Sequence, residues 1–237
     1  MQTLDRIAEQ IRQEFEARTG KRDEALAQAR HLTRACSLAI RAVHRDELQA
    51  MQEHLAEARQ LADGLIHGLA AHPDLYHAGY TQDALKEFVE ASVTCALIQN
   101  QPLQTPDELN VMGATFLNGL AEVVGELRRR TLDILRHGYS QEAERLLGIM
   151  DDIYSVLVTM DYPDAITNGL RRQTDLARGI VEKTRGDVTF SLRGQHLEQA
   201  IGRLRHGLEG ERTDNSGETA AESAQREPSP DDDVATS

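Results

Sequence analysis

"EALAQARHLTRACSLAIRAV", residues 24–43, decides the fold. The stretch has neither Gly nor Pro, is rich in Ala, and spaces its apolar residues at a helical period instead of alternating them. It therefore predicts a helix of about five turns. Outward from it, the helical pattern extends over residues 22–65 as one long helix, or two joined near Arg45–Asp46. On the N-terminal side, residues 4–18 form a short amphipathic segment, and Gly20 marks a break from the long helix.

C-terminal to these, residues 67–81 read as a connection punctuated by Pro73 and Gly79. A helix over about 82–99 follows. Thr105, Pro106 and Glu108 then supply a capping box with Pro at the first helical position, opening a helix from 106 to about 137 that Gly138 closes. Ser140 opens the next, to about Met160. Pro163 breaks it, and a last helix covers 164 to about 193, with a continuation toward 208. No alternating strand pattern and no fixed repeat intervenes. The expectation is all-α: a single-domain antiparallel bundle of about six or seven helices over residues 1–208.

Composition supports this. Aromatics are only 4%, and 6 Pro and 17 Gly are few for an all-β chain with many tight turns. Residues 209–237 lose all apolar periodicity and hold nine acids against two arginines, which leaves 1–208 with −6 of the chain's −13. Such a segment buries too little apolar surface to order itself, so an acidic disordered tail is expected there. Cys36 and Cys95 both lie in helical patterns, as free buried thiols of a reducing compartment would. Asp5, Arg6 and Glu9 break any signal-peptide core, and no apolar run approaches the roughly 18 residues of a membrane span. A cytoplasmic protein is the expectation.

Several chemistries leave no trace: there is no phosphate-cradling Gly loop, no G-x-S-x-G and no paired-Cys motif. "LKEFVEAS", residues 85–92, is more informative. At roughly 100° per residue, Asp83, Glu87 and Glu90 share a stripe about 60° wide. The next position on that stripe is the uncharged Thr94, within the apolar "VTCALI" of 93–98. Either the helix has a wet N-terminal half whose acids answer the helix dipole, or the carboxylates point along a face running inward. In the second case their repulsion calls for a proton or a cation, and oxygen ligands suit Mg²⁺ or Mn²⁺.

Asp151 and Asp152, in the apolar "LLGIMDDIYSVLV", pose the same question. One of them completes such a site, or one is exposed while the other pairs with an Arg on a neighbouring helix. Glu122 and Glu126 stand four apart, with Arg129 and Arg130 three and four beyond Glu126. Glu-to-Arg pairs in that order support the helix itself, and ligand duty for Glu126 is secondary. Arg30, Arg34, Arg41 and Arg45 form a stripe about 22 Å long within roughly 60° of helix surface. On an acidic protein this is a local surface for phosphates, unless Glu24, Asp46 and neighbouring helices neutralise it.

Four stretches in this order resemble the translin/TRAX family of helical nucleic-acid-binding proteins. "LKEFVEAS" is similar to the E-Y-V-E-A segment of the TRAX branch. "FLNGLAEVVGELRRRTLDILRHGY" is similar to the family's Y-L-x-G-[VL]-x-x-[LV]-x-[GS]-E-L-x-R helix. "LLGIMDDIYSVL" resembles the helix after it, and "LRRQTDLARGIVEKTRGDVTFSLRG" the C-terminal one. The resemblance implies a seven-helix subunit that forms homo-oligomers, rings or hollow octamers, around RNA or single-stranded DNA. It also implies a Mg²⁺- or Mn²⁺-dependent endoribonuclease of the TRAX type. By it, Glu87 and Glu90 match the catalytic glutamates and Asp152 the catalytic aspartate. Glu126 matches a glutamate of both branches, which favours a structural role, and Arg30, Arg34, Arg41 and Arg45 lie in the helix that meets nucleic acid. A binding module without catalysis and a helical scaffold are the alternatives; a scaffold has no need of the Arg stripe.

Overall fold

The computed structural model describes residues 2–223, with side chains through residue 206. Nine helices follow one another among the described residues: α1 (Gln2–His44), α2 (Leu48–Gly68), α3 (Pro73–Tyr76), α4 (Gly79–Ile98), α5 (Pro106–Leu109), α6 (Gly113–Leu135), α7 (Gln141–Val158), α8 (Asp164–Thr167) and α9 (Leu170–Ser223). Six are long and three are single turns, and no strand occurs among the described residues. The all-α expectation holds.

The joint expected at Arg45–Asp46 is where α1 ends. Asp46 adopts φ 58°, and the Glu47 amide turns back to the Ala42 carbonyl at 3.0 Å. Gly20 does not break α1. A single helical Gly costs about 1 kcal/mol, and a helix of this length absorbs it. The Thr105–Glu108 capping box forms as expected, with the Thr105 amide donating to Glu108 Oε2 at 2.7 Å. The helix it starts lasts one turn, because Asn110 takes the left-handed conformation at φ 55° and α6 starts afresh at Gly113. A similar stop at Asn168 and Gly169 (φ 51° and 79°) separates α8 from α9, where one helix was expected.

Residues Met1–Val188 make up one compact unit. In it α4 packs against α1, α2 and α6, and α6 against α7. Leu85, Phe88, Val89, Val93 and Cys95 of α4 are buried together with Leu32 and Cys36 of α1, Leu65 of α2, Leu127 of α6 and Met150 of α7. Buried on nearly every side, α4 is the central helix of this core, as an apolar run all round its axis requires. The second unit, Thr189–Ser237, is helical to Ser223. The acidic tail expected from Glu209 lies outside the residues whose side chains are described. No described helix is long and apolar enough to cross a membrane.

Candidate metal centre

The site begins with a glycine. Where α4 and α6 cross, a Cβ placed on Gly119 would lie 2.7 Å from Val89 Cβ and 2.9 Å from the Lys86 carbonyl oxygen. No other residue permits that approach. Glu122, one turn along α6, is thereby carried to the face of α4 that holds Glu87 and Glu90. One carboxylate oxygen from each of the three lies within 4.8 Å of the others, and all three side chains are half-buried.

The stripe predicted on α4 passes from solvent to core in order: Asp83 is exposed, Glu87 and Glu90 are half-buried, and Thr94 is fully buried. Of the two readings of "LKEFVEAS", the inward-running face is the one the fold adopts. The third carboxylate is Glu122, not Asp152. Lys86 Nζ donates to Glu122 Oε1 at 2.7 Å, and Gln173 Nε2 of α9 to the same oxygen at 3.4 Å.

Three carboxylates facing one ammonium leave an uncompensated negative site. Burial, followed by the charges of Glu122, Glu87 and Glu126, pushes the Glu90 carboxyl up to about 8. Burial and then Glu122 raise Glu87 as well. Burial opposes the Lys86 charge, but its bond to Glu122 and the surrounding acids outweigh this and hold it above the usual lysine range. Behind the cluster, burial raises the Cys36 thiol, helped by Glu87 and Glu90, and burial takes Cys95 to about 12. Both cysteines are free and buried, as expected. A half-buried set of oxygen donors that must either take up protons or face positive charge suits a hard divalent cation such as Mg²⁺ or Mn²⁺.

Glu126 has other work. It bonds His44 Nε2 at 2.5 Å and pairs with Arg129 at 3.5 Å, tying the end of α1 to α6. The His44 bond, more than burial, decides its direction and holds its carboxyl below the usual range. Arg130 pairs with Asp46 at 2.8 Å.

Asp152, expected as a ligand, is exposed on α7 and stands outside the carboxylate group. Leu146, Met150, Ile153 and Leu157 are the buried line of that helix. At 3.6 residues per turn, Asp151 and Asp152 fall roughly 130° to either side of it. Asp151 pairs with Arg185 of α9 at 2.5 Å. One acid exposed and one paired with an Arg is the alternative the sequence left open. Glu122 carried a signal of its own: its i+3 and i+4 neighbours are Gly125 and Glu126, so it lacks the helical Arg partners that Glu126 has.

Arg30, Arg34 and Arg41 are exposed on α1, and Arg45 is exposed in the turn just past its end. The acids able to neutralise them are engaged elsewhere: Glu24 with Lys21 at 2.6 Å, Asp23 with Arg22 at 3.2 Å, and Asp46 with Arg130. Only Arg45 of the four has an ion pair among the described residues, with Glu47 at 4.0 Å. Arg30 and Glu87 line one hollow of about 350 Å³ between α1 and α4, together with Thr33, Tyr80 and Asp83. One arginine of the stripe and one carboxylate of the cluster thus share this hollow. A larger hollow, about 730 Å³, near Tyr162, Arg171 and Asp175, contains none of the clustered acids.

No protein-family model matches the chain. It is 33% identical over 188 residues to the uncharacterized protein MJ0175 of Methanocaldococcus jannaschii, covering 79% of this chain and 83% of that one. Among solved structures it is similar to AfC3PO in complex with duplex RNA, with TM-score 0.73 and 31% identity, covering 78% of this chain and 96% of that one. AfC3PO by itself matches at TM-score 0.73 and 30% identity, covering 78% and 97%. Apo-NeC3PO, at TM-score 0.71 and 20% identity over 77% and 96%, shares the fold.

Proposed function

Because this chain belongs to the translin/TRAX family, we propose that it is a homo-oligomeric RNA-binding protein that cleaves its RNA at a Mg²⁺ or Mn²⁺ centre held by Glu87, Glu90 and Glu122. The observation that carries this reading is the meeting of three carboxylates within 4.8 Å, with one lysine among them, beside a hollow that also holds Arg30. That AfC3PO has been solved with duplex RNA supports RNA as the ligand. Single-stranded DNA and a ring or hollow octamer remain part of the proposal.

When bound, a divalent ion here supplies an activated water and offsets the charge that develops on the phosphodiester. The protein's share is positioning. Arg30, Arg34 and Arg41 hold backbone phosphates along α1, and Arg30 brings one to the hollow that Glu87 also lines. Gly119 keeps α4 and α6 close enough for the three carboxylates to converge. Lys86 and Gln173 fix the rotamer of Glu122.

A second reading rests on the Lys86–Glu122 bond. Lys86 already answers part of the charge, so the cluster serves as an internal ion pair in a protein that binds RNA without cutting it. The two readings separate in one experiment: cleavage of a labelled RNA, single-stranded and duplex, with Mn²⁺ by wild type, Glu90→Gln and Glu122→Gln. Cleavage by wild type alone supports the nuclease; equal cleavage by all three excludes this site, and binding without cleavage leaves the second reading. In parallel, each Arg→Ala change at 30, 34 or 41 lowers the slope of log affinity against log salt by about 1.

A further inference from the structure

The first 19 residues of α1, 2–20, take no part in the core. Buried positions of this helix begin at Ala25, and every residue from 2 to 20 is exposed except the half-buried Ala8. The arm is anchored at its base, where Arg18 bonds Asp74 at 2.5 Å. Its outer part presents Leu4, Ile7, Ile11 and Phe15, which are 71, 44, 43 and 59% exposed. Spacings of 3, 4 and 4 put the four within a stripe roughly 80° wide. A continuous row of large apolar side chains is what a monomer avoids showing to water.

We propose that this arm is an assembly surface, and that its occupant is the same arm of a second copy, lying antiparallel. The argument is charge complementarity. Asp5 and Arg12 flank the apolar stripe on one edge; Thr3, Gln10 and Glu14 flank it on the other. In an antiparallel pair like edges face each other. The register that sets Leu4 against the second copy's Phe15 also brings Ile7 beside the second copy's Ile11. It then places Asp5 opposite the second copy's Arg12, and two-fold symmetry repeats the pair. In a parallel pair unlike edges meet, and Asp5 then faces an edge of Thr3, Gln10 and Glu14 that holds no cation. Asp5 has no ion pair among the described residues. Among the described residues Arg12 is held only by Glu9 at 2.9 Å, with both side chains exposed, so it can turn to a new partner. Only the antiparallel orientation gives Asp5 a cation.

This deepens the self-association named in the proposed function and is independent of the metal centre. Its test is cross-linking of the full chain under mild oxidation, with the buried Cys36 and Cys95 left in place. A chain carrying both Leu4→Cys and Phe15→Cys forms disulfide-linked dimers, and so does an equimolar mixture of the two single variants. Neither single variant does so alone. Within one helix the two positions are about 16 Å apart, beyond the reach of a disulfide. Self-linking by Leu4→Cys alone means a parallel pair and overturns the proposal, as does the absence of links in the doubly substituted chain. Sedimentation of that unlinked chain then shows which idea failed: an oligomer condemns only this face, a monomer condemns self-association too. Charge reversal gives the second readout. Asp5→Arg or Arg12→Asp slows linking roughly tenfold, and the two together restore it. Failure of the pair to restore linking overturns the register.

Discussion

Two helices carry a pair of acids inside an otherwise apolar run: Glu87 and Glu90 in α4, Asp151 and Asp152 in α7. Past the exposed Asp83, helix α4 is buried on nearly every side, so Glu87 and Glu90 run inward to the crossing with α6, which brings Glu122. In α7 only one line of residues is buried, which leaves both aspartates to the flanks, one in water and one on Arg185. The acids of α4 gather a third carboxylate because their stripe faces a packed helix, whereas the flanks of α7 that hold the aspartates do not.

The sharpest way to break this comparison is the cleavage assay. Glu122→Gln is expected to lower RNA cleavage on the order of 100-fold or more, the upper range for disturbing a metal's surroundings, while Asp152→Ala stays within about twofold. Reversed results would transfer the site to α7.

Thermal unfolding tests whether the α4–α6 carboxylates behave as a cation site. At a Mn²⁺ concentration about 100 times its Kd, wild type should gain about 2.7 kcal/mol; Glu90→Gln should gain little. The pH dependence has a defined sign. Glu90 is raised from 4.5 to about 8, by burial and then its acidic neighbours. The folded protein therefore keeps a proton that the unfolded chain gives up. Its stabilisation is full below about 4.5 and is lost as pH rises through about 8. Metal-free Tm should fall across that window, and Glu90→Gln should flatten the fall. The Mn²⁺-induced gain should grow over the same range, because binding displaces the proton.

Gly119→Ala probes the crossing itself. The added methyl meets Val89 and the Lys86 backbone, so a loss of about 1–3 kcal/mol is expected, read as a lower denaturation midpoint together with weaker Mn²⁺ protection. An unchanged midpoint would mean that the helices separate freely and that the cluster needs no such approach. The smallest effect belongs to α7. Asp151→Ala removes an exposed pair and should cost under about 1 kcal/mol in the same denaturation, with cleavage unaffected.

Much of this was legible in the residues. The 24–43 stretch predicted helix, Asp46 ended it, and Thr105 with Glu108 formed their capping box, because each signal acts within a few residues along one chain. The stops at Asn110 and Asn168 were missed: a left-handed Asn is an option that the surrounding structure selects. The face of α4 was also legible, since the angle between Glu87 and Glu90 follows from helical period alone.

By itself, then, the sequence determined an all-α chain, a helix apolar on nearly every side over 93–98, two carboxylates sharing one stripe of that helix and an arginine stripe along α1; whether the carboxylate stripe ran inward it left open. Only the tertiary structure decided that Glu122 joins them, that Asp152 does not, and that Arg30 shares the hollow of Glu87. Periodicity gives the direction of a side chain about its own axis. Which helix lies in that direction, and how near, depends on the steric surface of both partners, and here on the missing side chain of Gly119.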